Sequence, residues 1–191
     1  NNSVEIVAYK PGTTDDLVNS PMTFYASGTA SAAHTLATVS GTGQPRSPVR
    51  QALPQPFVVK VTDRDGNPVI GHPVQWEVVQ GDGTFDGLED SLKTDPTNEN
   101  GFSQVYYYPG PVAGLQNVVR AHSWNQVELN QSPRTFVVET KQGAVSAKSS
   151  IVSATSPVPS DDQSKSVITV TLQDDWGNKI ANKVVGFLNV T

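Results

Sequence analysis

Asp63-Arg64-Asp65-Gly66-Asn67-Pro68-Val69 is followed by Gly71 and by Val74-Gln75-Trp76. The same arrangement returns as Asp174-Asp175-Trp176-Gly177-Asn178-Lys179-Ile180, with Asn182 and Val185-Gly186-Phe187 behind it. The two copies stand about 111 residues apart, an internal period of the size of one ordinary domain. Further along the unit, Ser20-Pro21-Met22-Thr23-Phe24 matches Ser132-Pro133-Arg134-Thr135-Phe136 at nearly the same offset. Two matches at one period divide the 191 residues into the tail of one unit (1–34), a whole unit (35–140) and the head of a third (141–191).

Each unit reads as strands and turns. Before the quoted turn lies Phe57-Val58-Val59-Lys60-Val61-Thr62, in which Phe57, Val59 and Val61 share one face by the two-residue period of a strand. After it, Val74 to Val79 turns Val74, Trp76 and Val78 inward and Gln75 and Glu77 outward. Asn100-Gly101 supplies the positive φ of a tight turn, and Ser103-Gln104-Val105-Tyr106-Tyr107-Tyr108 follows as a β-favouring run. Val118 to Ala121, with Val119 and Ala121 inward, and Arg134 to Glu139 complete the set; Ser91 to Thr94 adds a short strand in a loop-rich stretch. In the flanks, Val4 to Ala8 and Met22 to Tyr25 correspond to the last two strands of a unit. Val167 to Leu172 and Lys183 to Val190 correspond to early ones, and residues 149–165 suit a connector with an extended first strand. Short strands, frequent turns and no 3.6-residue periodicity predict an all-β chain of two-sheet sandwiches.

Composition agrees. Gly and Pro together supply 29 of the residues, aromatics are 7%, and the net charge is −5. An acidic surface without a Lys/Arg run carries no electrostatic footprint for nucleic acid, and no apolar stretch is long enough for a membrane helix. The chain has no cysteine, a usage compatible with bacterial surface proteins and with the cytosol.

The run from Pro56 to Val69 with Gly71 and Val74, then Gly81-Asp82-Gly83-Thr84-Phe85, Thr94 to Gly101 and Gly114 to Ala121, resembles the bacterial immunoglobulin-like repeat of the group 1 type, as found in the stalks of intimin and invasin adhesins. The third copy, from Ser149 through Asn178, resembles it as well. The resemblance implies tandem immunoglobulin-like sandwiches, one complete and two partial, in an extracellular protein on the bacterial surface. It also implies that the partners are neighbouring repeats of the same protein, with any host or surface ligand bound through a domain not in this chain. Nothing after Thr140 resembles the lectin-like tip of those adhesins.

Candidate sites are few. Asp63 and Asp65 have the carboxylate spacing that opens a calcium loop, but the bidentate Glu of such a loop is missing and the second copy carries Trp176 in place of Asp65. A backbone turn capped by Asp63, with Gly66 left-handed, is the expected role. His34, His72 and His122 lack metal-ligand spacing. No nucleophile elbow, zinc-protease helix or phosphate loop is present, so neither catalysis nor a cofactor is expected. Trp76 and Phe136 are expected in the core, and Tyr106, Tyr108 and Trp124 at the surface, where Trp124 is expected to pack on the neighbouring unit or cap the end of the sandwich, and is the candidate binding residue.

Three functions follow as expectations. The first is a spacer in the stalk of an adhesin, with Pro-containing junctions near Ser132-Pro133 and Ser156-Pro157. The second is a filament subunit in which the tail of one chain completes the head of the next by strand addition. The third is a carbohydrate-binding accessory module of a secreted enzyme, acting through Trp124.

Overall fold

The computed structural model describes residues 2–87, 90–124, 128–161 and 163–188. In chain order the strands are β1 (Asn2–Ile6), β2 (Met22–Ala26), β3 (Thr35–Ser40), β4 (Ser47–Pro48), β5 (Phe57–Thr62), β6 (Pro73–Gln80) and β7 (Thr84–Phe85). They continue as β8 (Leu92–Pro96), β9 (Phe102–Val105), β10 (Tyr107–Tyr108), β11 (Gln116–Ser123), β12 (Arg134–Lys141), β13 (Ile151–Ala154) and β14 (Ile168–Thr171). No helix occurs among the described residues.

The alternation in Phe57 to Thr62 buries every second side chain of β5, and β11 and β12 show the same period. Such strands need a second apolar layer, and the central unit provides it. A three-stranded sheet in the order β3-β5-β9 faces a five-stranded sheet in the order β4-β12-β11-β6-β8. Leu36, Phe57, Val59, Val61 and Val105 from the first meet Val74, Trp76, Val119, Ala121, Phe136 and Val138 from the second, all at most 1% exposed. The Phe57 and Phe136 rings stack across the core with centroids 4.6 Å apart, and Trp76 tilts against Phe136 at 5.6 Å. Each such pair contributes about 0.5–1.5 kcal/mol beyond the area it buries. A polar strap joins the layers: Trp76 Nε1 on β6 donates to Ser103 Oγ on β9 at 3.0 Å, and Ser103 Oγ donates to Asp95 Oδ2 on β8 at 2.9 Å.

The run 103–108 is not one strand. β9 pairs with β5, whereas β10 pairs with β7. Between them the amide of Tyr106 donates to Asp86 Oδ1, so the chain changes partners there. The inward alternation persists through the break, which buries Tyr107 and leaves Tyr106 exposed. Tyr108 is half-buried rather than exposed.

The flanks repeat parts of this plan. In the β1–β2 pair Val4 faces Phe24, as Val119 faces Phe136 in β11–β12, and the β13–β14 pair stands at the repeat positions of β3–β5. The chain is thus all-β, with tandem immunoglobulin-like sandwiches of which one is complete and two are partial. Residues 183–188 are not a strand, contrary to expectation, because no strand among the described residues pairs with them; Asn189 and Val190 lie outside the described residues. Ser132-Pro133 leads into β12 and Ser156-Pro157 follows β13, both with cis peptide bonds. These prolines therefore sit against strands, and the connecting segments are residues 27–34 and 142–150.

Candidate functional site

The repeated turn is built by its first residue. Asp63 ends β5, where the chain must reverse, and its own amide bonds to the carbonyl of Asn67. Asp63 Oδ1 accepts the amides of Asp65 at 3.0 Å and Asn67 at 2.8 Å. Gly66 completes the reversal at φ 87°, a left-handed angle that costs glycine least. Asp63 Oδ2 accepts Asn67 Nδ2 at 3.1 Å and, from the connector 32 residues earlier, the amide of Ser31 at 3.0 Å. The carboxylate therefore holds both a turn and the segment leading into β3. These bonds, led by the Asn67 side chain and then the Ser31 amide, lower the pKa of Asp63 to about 2. Asp65, the other calcium candidate, is exposed, and Asp63 meets N–H donors from Asp65 and Asn67.

The second copy reproduces this bonding. Asp174 Oδ1 accepts the amides of Trp176 and Asn178, and Oδ2 accepts Asn178 Nδ2 and the amide of the connector residue Gly143, the last at 2.9 Å. Burial of Asp174 acts to raise its pKa, but the Gly143, Asn178 and Trp176 bonds outweigh it and the net shift is downward.

Here the turn also reaches across to the central sandwich. Asn178 Oδ1 accepts the amide of Ala113 at 2.9 Å, and Asn178 Nδ2 donates to the carbonyl of Pro111 at 2.8 Å. A carboxamide offers one acceptor and two donors, so it can pair with an extended backbone as another peptide group would. The loop it grips is seated on the end of β12: Thr140 Oγ1 donates to the Val112 carbonyl at 2.8 Å, and the Gly114 amide donates to the Thr140 carbonyl. Asn178 is accordingly half-buried, whereas Asn67 is exposed. Neither asparagine stands out as a functional residue in the sequence alone. Their recurrence beside Gly66 and Gly177, while Arg64-Asp65 becomes Asp175-Trp176, was the available signal.

The other candidates are scattered. Trp124 lies just past β11, half exposed, with its amide bonded to the Pro73 carbonyl; its neighbours Asn125 and Gln126 lie outside the described residues. His72 Nε2 is 3.0 Å from Ser123 Oγ, and burial lowers its pKa. The side chains of His34 and His122 bond only to residues adjacent in sequence among the described residues. No group of three or more His, Asp or Glu converges among the described residues. A buried network missed in the sequence links Tyr107 Oη to Asn117 Oδ1 at 2.9 Å, with the Gly110 amide on the same oxygen; burial, then the charge of Asp82, raises the Tyr107 pKa.

No family model matches the chain, and no curated protein matches it. Among solved structures it is similar to FdeC, described as a broadly conserved Escherichia coli adhesin, at 13% identity and a TM-score of 0.54, over 92% of this chain and 51% of that one. It is also similar to invasin, described as a bacterial integrin-binding protein, at 22% identity and a TM-score of 0.43, over 75% of this chain and 26% of that one. A Parabacteroides merdae β-glucuronidase matches over 64% of this chain and 15% of that one, at 12% identity and a TM-score of 0.37. The chain thus spans about half of the FdeC chain and less of the others. At 13% identity the likeness to FdeC shows the fold alone, that of immunoglobulin-like sandwiches.

Proposed function

We propose that this chain is a spacer in the stalk of a bacterial surface adhesin, made of group 1 immunoglobulin-like repeats divided at 1–34, 35–140 and 141–191, and that it performs no catalysis. One observation carries the reading. The Asp174–Asn178 turn bonds at once to its own connector at Gly143 and to Pro111 and Ala113 of the sandwich before it. The third unit therefore meets the central one through the Asn178 side chain, which limits hinge motion at that junction beyond what a bare linker allows. The likeness to FdeC supports an extracellular, cell-surface setting. Small-angle scattering tests the proposal: an elongated particle is expected, and Asn178→Ala is expected to broaden the distribution of lengths. A compact particle would contradict it.

A second reading has its own observation. Phe24 and Val4 are 52% and 60% exposed, whereas Phe136 and Val119, at the same register positions, are 0% and 1% exposed. In β13–β14, Val152 and Ile168, which share one face, are likewise exposed. Inner faces of this kind call for a covering layer, supplied either by the remaining strands of the same units or, if the partial units of two chains complete one another, by a second copy. Light-scattering mass across a concentration series separates the two: a constant monomer supports the spacer alone, and a rising mass supports completion between chains.

A further inference from the structure

We infer that the groove between residues 28–30 and residues 67–70 is the docking site for the loop of another repeat, equivalent to Pro111-Val112-Ala113, and that Asn67 is the residue that grips it. This rests on the tandem-repeat reading above. The groove has a volume of about 610 Å³ and is lined by Gly28, Thr29, Ala30, Asn67, Pro68, Val69 and Ile70.

Its walls have counterparts elsewhere in the chain. Ser31 and Gly143 occupy one structural position, since each donates its amide to Oδ2 of the turn aspartate. Counting back from them, residues 28–30 correspond to residues 140–142, and residues 67–70 correspond to residues 178–181. Between those counterparts lies loop 111–115, held by Thr140 on one side and Asn178 on the other; Gly28 stands at the place of Thr140, which leaves Asn67 as the side chain able to grip. In the register set by Val4 with Phe24 and Val119 with Phe136, the position of that loop falls ahead of β1.

Asn67 holds the pose that gripping requires. Its Nδ2 bonds to Asp63 Oδ2, as that of Asn178 bonds to Asp174. Among the described residues no group donates to Asn67 Oδ1, the atom that in Asn178 accepts the Ala113 amide. Beside it, Ile70 is 64% exposed, an apolar side chain at the edge of the groove where the second copy has Ala181. The occupant is thus defined by chemistry: an extended loop offering a carbonyl and, two residues on, an amide, with a small aliphatic side chain between them.

The test uses the whole chain with a copy of residues 108–116 joined ahead of Asn1 through a flexible glycine-serine tether, which gives a local concentration in the millimolar range. NMR follows the side-chain amides of Asn67 and Asn178 in one spectrum. The Asn67 signal is expected to move towards that of Asn178, with its solvent exchange slowed about tenfold, as one well-formed hydrogen bond would do. The Val69 and Ile70 signals should shift in the same chain and stay unshifted when it also carries Asn67→Ala. An unchanged Asn67 beside a protected Asn178 would overturn the docking site and leave the spacer reading standing. Shifts at Val69 and Ile70 that survive Asn67→Ala would overturn the role given to Asn67. An unprotected Asn178 would overturn the second junction, and with it the template for the first.

Discussion

Replacing Ser103 by alanine should destabilise the central sandwich far more than the loss of one oxygen suggests. Ser103 is 1% exposed and Trp76 is fully buried, so no water replaces the hydroxyl that accepts the indole N–H at 3.0 Å. An orphaned buried donor costs about 1–3 kcal/mol. Asp95 Oδ2 suffers less, because it retains the Gln104 amide at 2.9 Å. A total near 2 kcal/mol is therefore expected, which lowers the urea midpoint by roughly 1 M at a typical slope. Trp76→Phe supplies the control: it carries its own cavity cost, but it removes the donor that Ser103→Ala would strand. In that background Ser103→Ala should cost about 1–2 kcal/mol less, and this difference is the coupling energy of the pair. Amide peak volumes from β5 and β11, followed through a urea series, read the central sandwich apart from the flanks. Equal costs of Ser103→Ala in both backgrounds would refute the strap.

Three other outcomes follow from the same packing. Gly83→Ala places a Cβ 2.0 Å from Tyr107 Oη, so the Tyr107–Asn117 network must give way; a loss of about 1–3 kcal/mol or more is expected in thermal melts. The Asp63 carboxyl is held at about 2 in the fold, against an ordinary value near 3.8, and Asp174 is also lowered. The stability these groups contribute is present in full above pH ~4 and lost as pH falls towards ~2; the urea midpoint should drop over that window, less steeply in an Asp63→Asn chain. Trp124→Ala, at a half-exposed site, should change stability by no more than about 0.5 kcal/mol, and a glycan array that loses signal with this variant would support the carbohydrate-binding alternative.

Much of the sandwich is legible because burial follows parity. The alternation of Phe57, Val59 and Val61, and the inward Val74 and Trp76, reappear as core residues because a strand with one dry face has no other register that hides them. The missed elements lacked such a pattern. β3 buries only Leu36 completely, and β4 is two residues long and includes a proline; neither is recognisable without the strand it pairs with. Three consecutive tyrosines hide which one is inward, although continuing the parity from Ser103 and Val105 would have picked Tyr107. The candidate site was half legible. An Asp ahead of Gly-Asn announces a turn, but that the Asp also fastens residues about 31 positions upstream, and that Asn178 grips a loop on another sheet, depends on contacts far apart in sequence.

β4 runs parallel to β12, with Ser47 opposite Thr140 and Pro48 opposite Lys141, and the Val49 amide adds a bond to the Lys141 carbonyl at 3.0 Å. Thr35 makes a further parallel bridge with Asn130 ahead of β12. The chain enters the central sandwich beside one of these strands and leaves it by the other. A pull on both connectors thus draws parallel neighbours in opposite directions along their own axes. The bonds between them are then strained together in shear rather than peeled apart one after another, so the sandwich is fastened most firmly along the line that joins its two connectors.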